Sequence, residues 1–130
     1  MSLELLCLGW ALILGLVHII LAGHVRTKEL GMSWNVSARD GELPPLSLLA
    51  GRLARAQANF FETFPLFAAA ILIVAVTQSY NAFSHWGALI YLVARIIYLP
   101  LYALGIPKIR TVVWLISIVG LSLILLPILF

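Results

Sequence analysis

The chain predicts an all-α membrane protein, a four-transmembrane-helix bundle forming a single domain over residues 1–130. Composition gives the first reason: of 130 residues, 63% are hydrophobic and 10% charged, and the mean hydropathy is +1.10. A soluble domain of this length has too little interior for so much apolar side chain, so lipid is its natural solvent. The second reason is length. A helical span needs about 20 apolar residues, and the chain offers four such runs. The third is pattern: the runs lack the period-2 alternation of barrel strands, and only helices and closed barrels satisfy the backbone inside a bilayer.

The first run is Leu3–Gly23, interrupted only by Glu4 and His18. It is not expected to be a cleaved signal, because MSLELL has no basic start and the apolar stretch is too long. Its Cys7 is the single cysteine, which excludes an internal disulfide and reads as packing. A first connection follows, punctuated by Gly31, Gly41 and Pro44-Pro45, and is expected to be irregular. Its Asn35-Val36-Ser37 sequon is a chance match on the expected cytosolic side. The second run extends from about Leu46 to Thr77, with a polar first half and Pro65, which is expected to bend it. The third, Ala82 to about Leu104, holds one charge, Arg95; the fourth, Thr111–Phe130, holds none. No internal repeat is visible.

All eight Lys and Arg lie in three places: the first connection with the start of the second run, the third run, and the third connection. They are Arg26, Lys28, Arg39, Arg52, Arg55, Arg95, Lys108 and Arg110. The second connection, QSYNAFSH, has none. The positive-inside rule therefore puts connections one and three in the cytosol and both termini outside. An integral, multi-pass protein of a bacterial inner membrane is the expected setting. The net charge of +3 then describes one face, suited to anionic membrane lipid. Neither a nucleic-acid partner nor a metal is expected. Trp34 and Trp86 read as interfacial anchors, His18 as a packed helix residue and His24 as interfacial.

AGRLARAQANFFETFPLF, Ala50–Phe67, carries the most costly side chains of the chain toward the bilayer. At about 100° per residue, Arg52, Arg55, Asn59 and Glu62 share an arc of roughly 80°. On the third run, Arg95, Tyr98 and Tyr102 share a face at i, i+3 and i+7. Ionisable groups at such depth face a bundle interior or a wet cavity. A Glu62–Arg95 pair that merely orients the helices is one reading, with Arg55 reaching for headgroups. The pair accounts for two of the seven converging groups. The other reading is a ligand site with several fixed cations, one anion, an amide and phenols. Such a lining suits a small zwitterion with excess carboxylate, entering from the cytosol, and glutathione fits that description.

RLARAQANFFETFPLF resembles the signature of the MAPEG family, membrane-associated proteins in eicosanoid and glutathione metabolism. Arg52, Arg55, Ala56, Asn59, Glu62 and Pro65 fill every position of its R-x-x-R-A-x-x-N-x-x-E-x-x-P run. LIYLVARIIYLPLY is similar to the third-helix segment of the leukotriene C4 synthase branch, GIPKIRT to a stretch where arginine precedes a small hydroxyl residue, and GHVRTK to the end of the first helix. The resemblance implies a homotrimer with glutathione as co-substrate, bound between subunits near the cytosolic face. It implies glutathione contacts at Arg55, Asn59, Glu62, Tyr98 and Tyr102, with Arg26 added from the neighbouring subunit; Arg52 and Arg95 join them by sharing their helix faces. Arg110 would sit beside the thiol, with Thr111 as a second donor to sulfur, and these two are the catalytic candidates. The second substrate would be an apolar or lipid-derived electrophile or hydroperoxide arriving from the bilayer. The chain departs from relatives at Thr63, where some carry tyrosine, at Ala58, where some carry arginine, and by a one-residue gap before Arg110.

The expected activity is therefore that of a glutathione transferase with possible peroxidase chemistry. Its rival is a non-catalytic MAPEG-like protein that binds lipid or glutathione. A transporter using Arg95 and Glu62 as an ion path is a third reading, weakened by the missing inverted repeat.

Overall fold

The computed structural model describes residues 1–130, and every regular element in it is helical. In chain order these are α1 (Leu3–Leu30), α2 (Met32–Val36), α3 (Leu48–Thr77), α4 (Ala82–Ala103) and α5 (Pro107–Leu129). All except the short α2 are long and apolar enough to cross a membrane. Their outward residues, among them Trp10, Leu16, Ile20, Leu72, Val93 and Leu115, are large, apolar and exposed, as a lipid-facing surface requires.

Local chemistry sets the helix ends. Ser2 caps α1 by accepting the Leu5 N–H at 3.2 Å, and Ser47 caps α3 by accepting the Ala50 N–H at 3.1 Å. A capping box starts α4: Asn81 Oδ1 accepts from the Ser84 amide, and Ser84 Oγ accepts from the Asn81 amide, each at 3.0 Å. Gly105 turns the chain after α4 at φ +73°, and the Ile106 N–H reaches back to Leu101 O at 3.1 Å. Pro107 then occupies the first turn of α5, where a missing N–H costs nothing.

The helices run up and down. α3 and α4 each pack on both α1 and α5, while α1 and α5 do not touch. The tightest approach joins α4 to α5. A Cβ at Gly87 would stand 2.6 Å from Gly120 O, and one at Gly120 would stand 2.8 Å from Gly87 O. Only glycine lets these two backbones meet, the small-residue device of membrane helix packing. One apolar core cluster gathers Cys7, Ala11, Phe67, Ile71, Tyr91 and Ile124. A second, nearer the arginines, gathers Leu14, Leu53, Ala56, Phe60 and Leu99. Within the first cluster Phe67 and Tyr91 stack at 4.1 Å, and Tyr91 Oη meets Thr63 Oγ1 at 2.8 Å. A buried tyrosine hydroxyl is thereby satisfied in a region without water.

The structure differs from the sequence expectation at four points. The first helix does not stop at Gly23 but continues to Leu30, ending where Gly31 (φ +93°) donates its N–H to Thr27 O at 2.7 Å. Hydropathy marks where a helix leaves lipid, not where it ends. The first connection also contains the one-and-a-half-turn α2, and Glu29 in the last turn of α1 ties that helix to the start of α3: its two oxygens accept the Ser47 amide at 2.9 Å and the Ser47 hydroxyl at 2.5 Å. The last helix starts at Pro107 rather than Thr111, which brings Arg110 and Thr111 into its first turns. Finally, Arg95 donates to Asn59 rather than pairing with Glu62.

Candidate functional site

The arginine stripe divides on folding. Arg52 and Arg55 lie in the first two turns of α3, beside the end of α4 and the start of α5. There they line a cleft of about 270 Å³ with Tyr102, Gly105, Ile106, Pro107 and Arg110. Three guanidiniums face this space and no carboxylate lines it, so its chemistry is that of an anion site. Gly105 makes room for one of them: a Cβ there would sit 2.6 Å from the Arg52 guanidinium carbon.

Aromatic rings hold the cations in place. The Arg110 guanidinium lies 4.6 Å from the Tyr102 ring centroid, and that of Arg55 lies 6.0 Å from the same ring. Arg110 Nη1 also donates to Tyr98 Oη at 3.3 Å. Tyr98 is fully buried and packs edge-on against Tyr102 at 5.6 Å. The i, i+4 spacing of these tyrosines on α4 therefore builds a wall on which the start of α5 sets Arg110.

Arg95 takes the other direction. It is fully buried, its Nη1 donates to Asn59 Oδ1 at 2.9 Å, and its guanidinium lies over Tyr98 at 4.3 Å and Phe60 at 5.5 Å. Its Nε and Nη2 have no acceptor. The arrangement links α3 to α4 from within and braces the far face of Tyr98. Arg95 supports the cleft without lining it.

The remaining candidates are dispersed. Glu62 is exposed on α3, seven residues beyond Arg55 and so about 10 Å along the helix. Asn59 lies between them, its Oδ1 taken by Arg95 and its Nδ2 a remaining donor. Arg26 is half-buried near the end of α1 and does not line the cleft. Thr111 is exposed, and its hydroxyl donates to Pro107 O at 3.3 Å. The structure thus brings Arg52, Arg55, Tyr98, Tyr102 and Arg110 together, with Asn59 and Arg95 behind, and leaves Arg26, Glu62 and Thr111 outside.

Sequence reasoning missed the wall formed by Gly105, Ile106 and Pro107. The signal was present in ALGIPK, where a glycine two residues before a proline marks a helix stop followed by a helix start. Sequence reasoning expected His18 to be a packed helix residue, and the structure agrees. This side chain is buried, stacks on Phe60 at 4.9 Å, and leaves both ring nitrogens without a partner. No spacing rule on α1 announces a neighbour from α3.

A four-helix membrane bundle with a cluster of guanidiniums at one end, backed by paired tyrosines, defines a class of integral membrane protein with a cationic cleft at one end of its spans. Comparison with family models makes the assignment specific: residues 5–130 match the MAPEG family, and the chain belongs to that family. It is an integral membrane protein of the glutathione and eicosanoid metabolism group. Among curated proteins, none matches the chain.

Proposed function

We propose that the protein is a glutathione-dependent transferase or peroxidase that activates the glutathione thiol at the arginine-lined cleft. One observation carries the reading. Arg110 stands at the cleft with its guanidinium against Tyr98 Oη and the Tyr102 ring, and no carboxylate in the lining neutralises it. A thiol titrates at about 8.5, and an adjacent guanidinium favours the thiolate. The proton leaves to water, and the sulfur becomes the nucleophile.

Family membership and geometry both support glutathione as the anion. Arg55 and Glu62 lie about 10 Å apart along α3, and an extended tripeptide spans about the same distance. Arg52 and Arg55 would take its carboxylates, Glu62 its ammonium, and the free Nδ2 of Asn59 a backbone carbonyl. Glu62 and Arg55 are exposed on a single chain, and a carboxylate facing hydrocarbon is costly. A homotrimer, with a neighbouring subunit closing over this face and contributing Arg26, resolves that cost. Connections one and three then lie in the cytosol, where glutathione is. Thr111 joins the sulfur only by turning its hydroxyl away from Pro107.

The second substrate is apolar and reaches the sulfur from the bilayer. With an electrophilic carbon, the C–S bond forms as the leaving group departs with its bonding pair. With a lipid hydroperoxide, sulfur takes the terminal oxygen, the lipid alkoxide collects a proton, and a second glutathione converts the sulfenic acid to disulfide.

Calorimetry in detergent tests the binding part. Arg55→Ala and Glu62→Gln are each expected to weaken glutathione binding by about 2 kcal/mol. Wild-type affinity in both variants would leave these groups as helix-orienting charges and remove the proposal. Tight glutathione binding without turnover of either an aryl halide or a lipid hydroperoxide would favour a non-catalytic binding protein.

A further inference from the structure

The end of the bundle remote from the arginines carries a second polar cleft that the glutathione chemistry does not use. It measures about 490 Å³ and is lined by Glu4 of α1, by Tyr80 and Asn81 before α4, and by Ala82, His85 and Trp86 of α4, with Ser2 at its edge. Glu4 is only 4% exposed. Its Oε1 accepts from Ser84 Oγ at 2.7 Å, and Oε2 takes no hydrogen bond from the chain. A buried carboxylate with one oxygen unspent, facing a cleft, calls for a cationic donor.

The same cleft has an anion-seeking wall. The Ser84 amide is taken by Asn81 Oδ1 and the His85 amide by Asn81 O, so the amides of Ala82 and Phe83 are the free donors of this helix start. The beginning of a helix of this length favours a phosphate. A positive group at Glu4 and a phosphate at Ala82 together describe a zwitterion. None of the eight Lys and Arg lies in residues 78–85, so a purely anionic headgroup finds no cation here.

Trp86 connects this cleft to an apolar one. Its ring stands edge-on to His85 at 5.7 Å and forms a wall of both spaces. The apolar groove, about 420 Å³, runs between Ile90, Val93 and Ile97 of α4 and Val113 and Ile116 of α5. Both volumes lie within the roughly 300–1,000 Å³ of small-molecule sites. A polar cleft and a lipid-facing apolar groove that share the Trp86 wall match the headgroup and acyl chain of a phospholipid.

We propose that this face holds one phosphatidylethanolamine molecule, with its primary ammonium on Glu4, its phosphate at the amino end of α4, and an acyl chain in the α4–α5 groove. The ammonium N–H groups distinguish it from a choline headgroup, which has charge but no donor. Glu4 links α1 to α4 at this end, so the bound lipid braces the joint between them.

Native mass spectrometry of the detergent-solubilised protein tests this, using an equimolar mixture of phosphatidylethanolamine, phosphatidylcholine and phosphatidylglycerol with identical acyl chains. Wild-type protein retains one phosphatidylethanolamine, favoured by about tenfold over the other two. Glu4→Gln abolishes the preference, and Ile97→Trp, which fills the groove away from the headgroup, lowers phosphatidylethanolamine retention while leaving Glu4 intact. Equal retention of the three lipids by wild-type protein, or preference for phosphatidylglycerol, overturns the proposal. So does a preference that survives Glu4→Gln. Should Glu4→Gln fail to fold, the wild-type competition and Ile97→Trp decide the matter.

Discussion

At the scale of single residues, Arg95 and Asn59 show why one polar stripe serves two purposes. Arg52, Arg55, Asn59 and Glu62 share a helix face, and that much follows from spacing alone. Which neighbour covers each of them does not. α4 crosses α3 near Asn59 and supplies Arg95, so that one member of the stripe turns inward and becomes a buried hydrogen-bond acceptor. The fully buried guanidinium has a single side-chain acceptor, with Nε and Nη2 unpartnered. Asn59→Ala would strip the last acceptor from a buried cation, and about 2–3 kcal/mol of stability should be lost. Thermal unfolding in detergent checks this, and an unchanged midpoint would mean that Arg95 finds another acceptor. The packing of His18 was expected, but its partner was not. A lone histidine on an apolar face gives no sign that it will stack on Phe60.

At the scale of elements, the four apolar runs were legible because the bilayer imposes a length and the side chains obey it. Helix ends were less so. The apolar run ends near Gly23, whereas the helix continues to Leu30 and is capped by Gly31, because a backbone that leaves lipid keeps its hydrogen bonds until a residue such as glycine breaks the geometry. The start of α5 moved four residues earlier for a related reason: Pro107 fixes a helical φ before the apolar run begins. This earlier start matters to the site, since it fixes Arg110 on a regular helix instead of a loop. Packing between elements was invisible in hydropathy. Gly87 and Gly120 look like two of nine glycines, yet at each the space a Cβ would need is taken by the backbone of the facing helix. Gly87→Ala forces a methyl against the backbone of α5 and should destabilise the α4–α5 pair by about 1–3 kcal/mol. Gly23→Ala, where a Cβ meets nothing within 4 Å, is the matched control, and equal stability of the two variants would contradict the close packing.

At the scale of the whole molecule, the charge asymmetry and the folded cleft agree. The basic connections, Arg52, Arg55 and Arg110 lie at one end, and the uncharged second connection lies at the other with Glu4 and Ser84. Cysteine labelling in intact cells reads the orientation. Ser79→Cys, exposed at the uncharged end, is expected to react with an impermeant reagent, and Ser37→Cys, exposed at the basic end, to be protected. The reverse pattern would put the cleft on the side away from cytosolic glutathione. The family was legible because the signature on α3 is contiguous and complete. The division of labour among its residues was not, because it depends on three helix ends meeting at the cleft.

If Arg110 turns bound glutathione into a nucleophile, the thiolate it stabilises can be observed directly. Ultraviolet difference absorbance, on mixing detergent-solubilised protein with glutathione across a range of pH, is the measurement. Wild-type protein should show a thiolate signal persisting below the ordinary thiol range of about 8.5. Arg110→Ala should move that titration to higher pH while glutathione affinity is largely kept. Turnover should fall by about tenfold for each pH unit that the titration moves, partly offset by a more nucleophilic sulfur. Glutathione binding by wild-type protein with no thiolate signal, and an identical titration in Arg110→Ala, would contradict that role for Arg110.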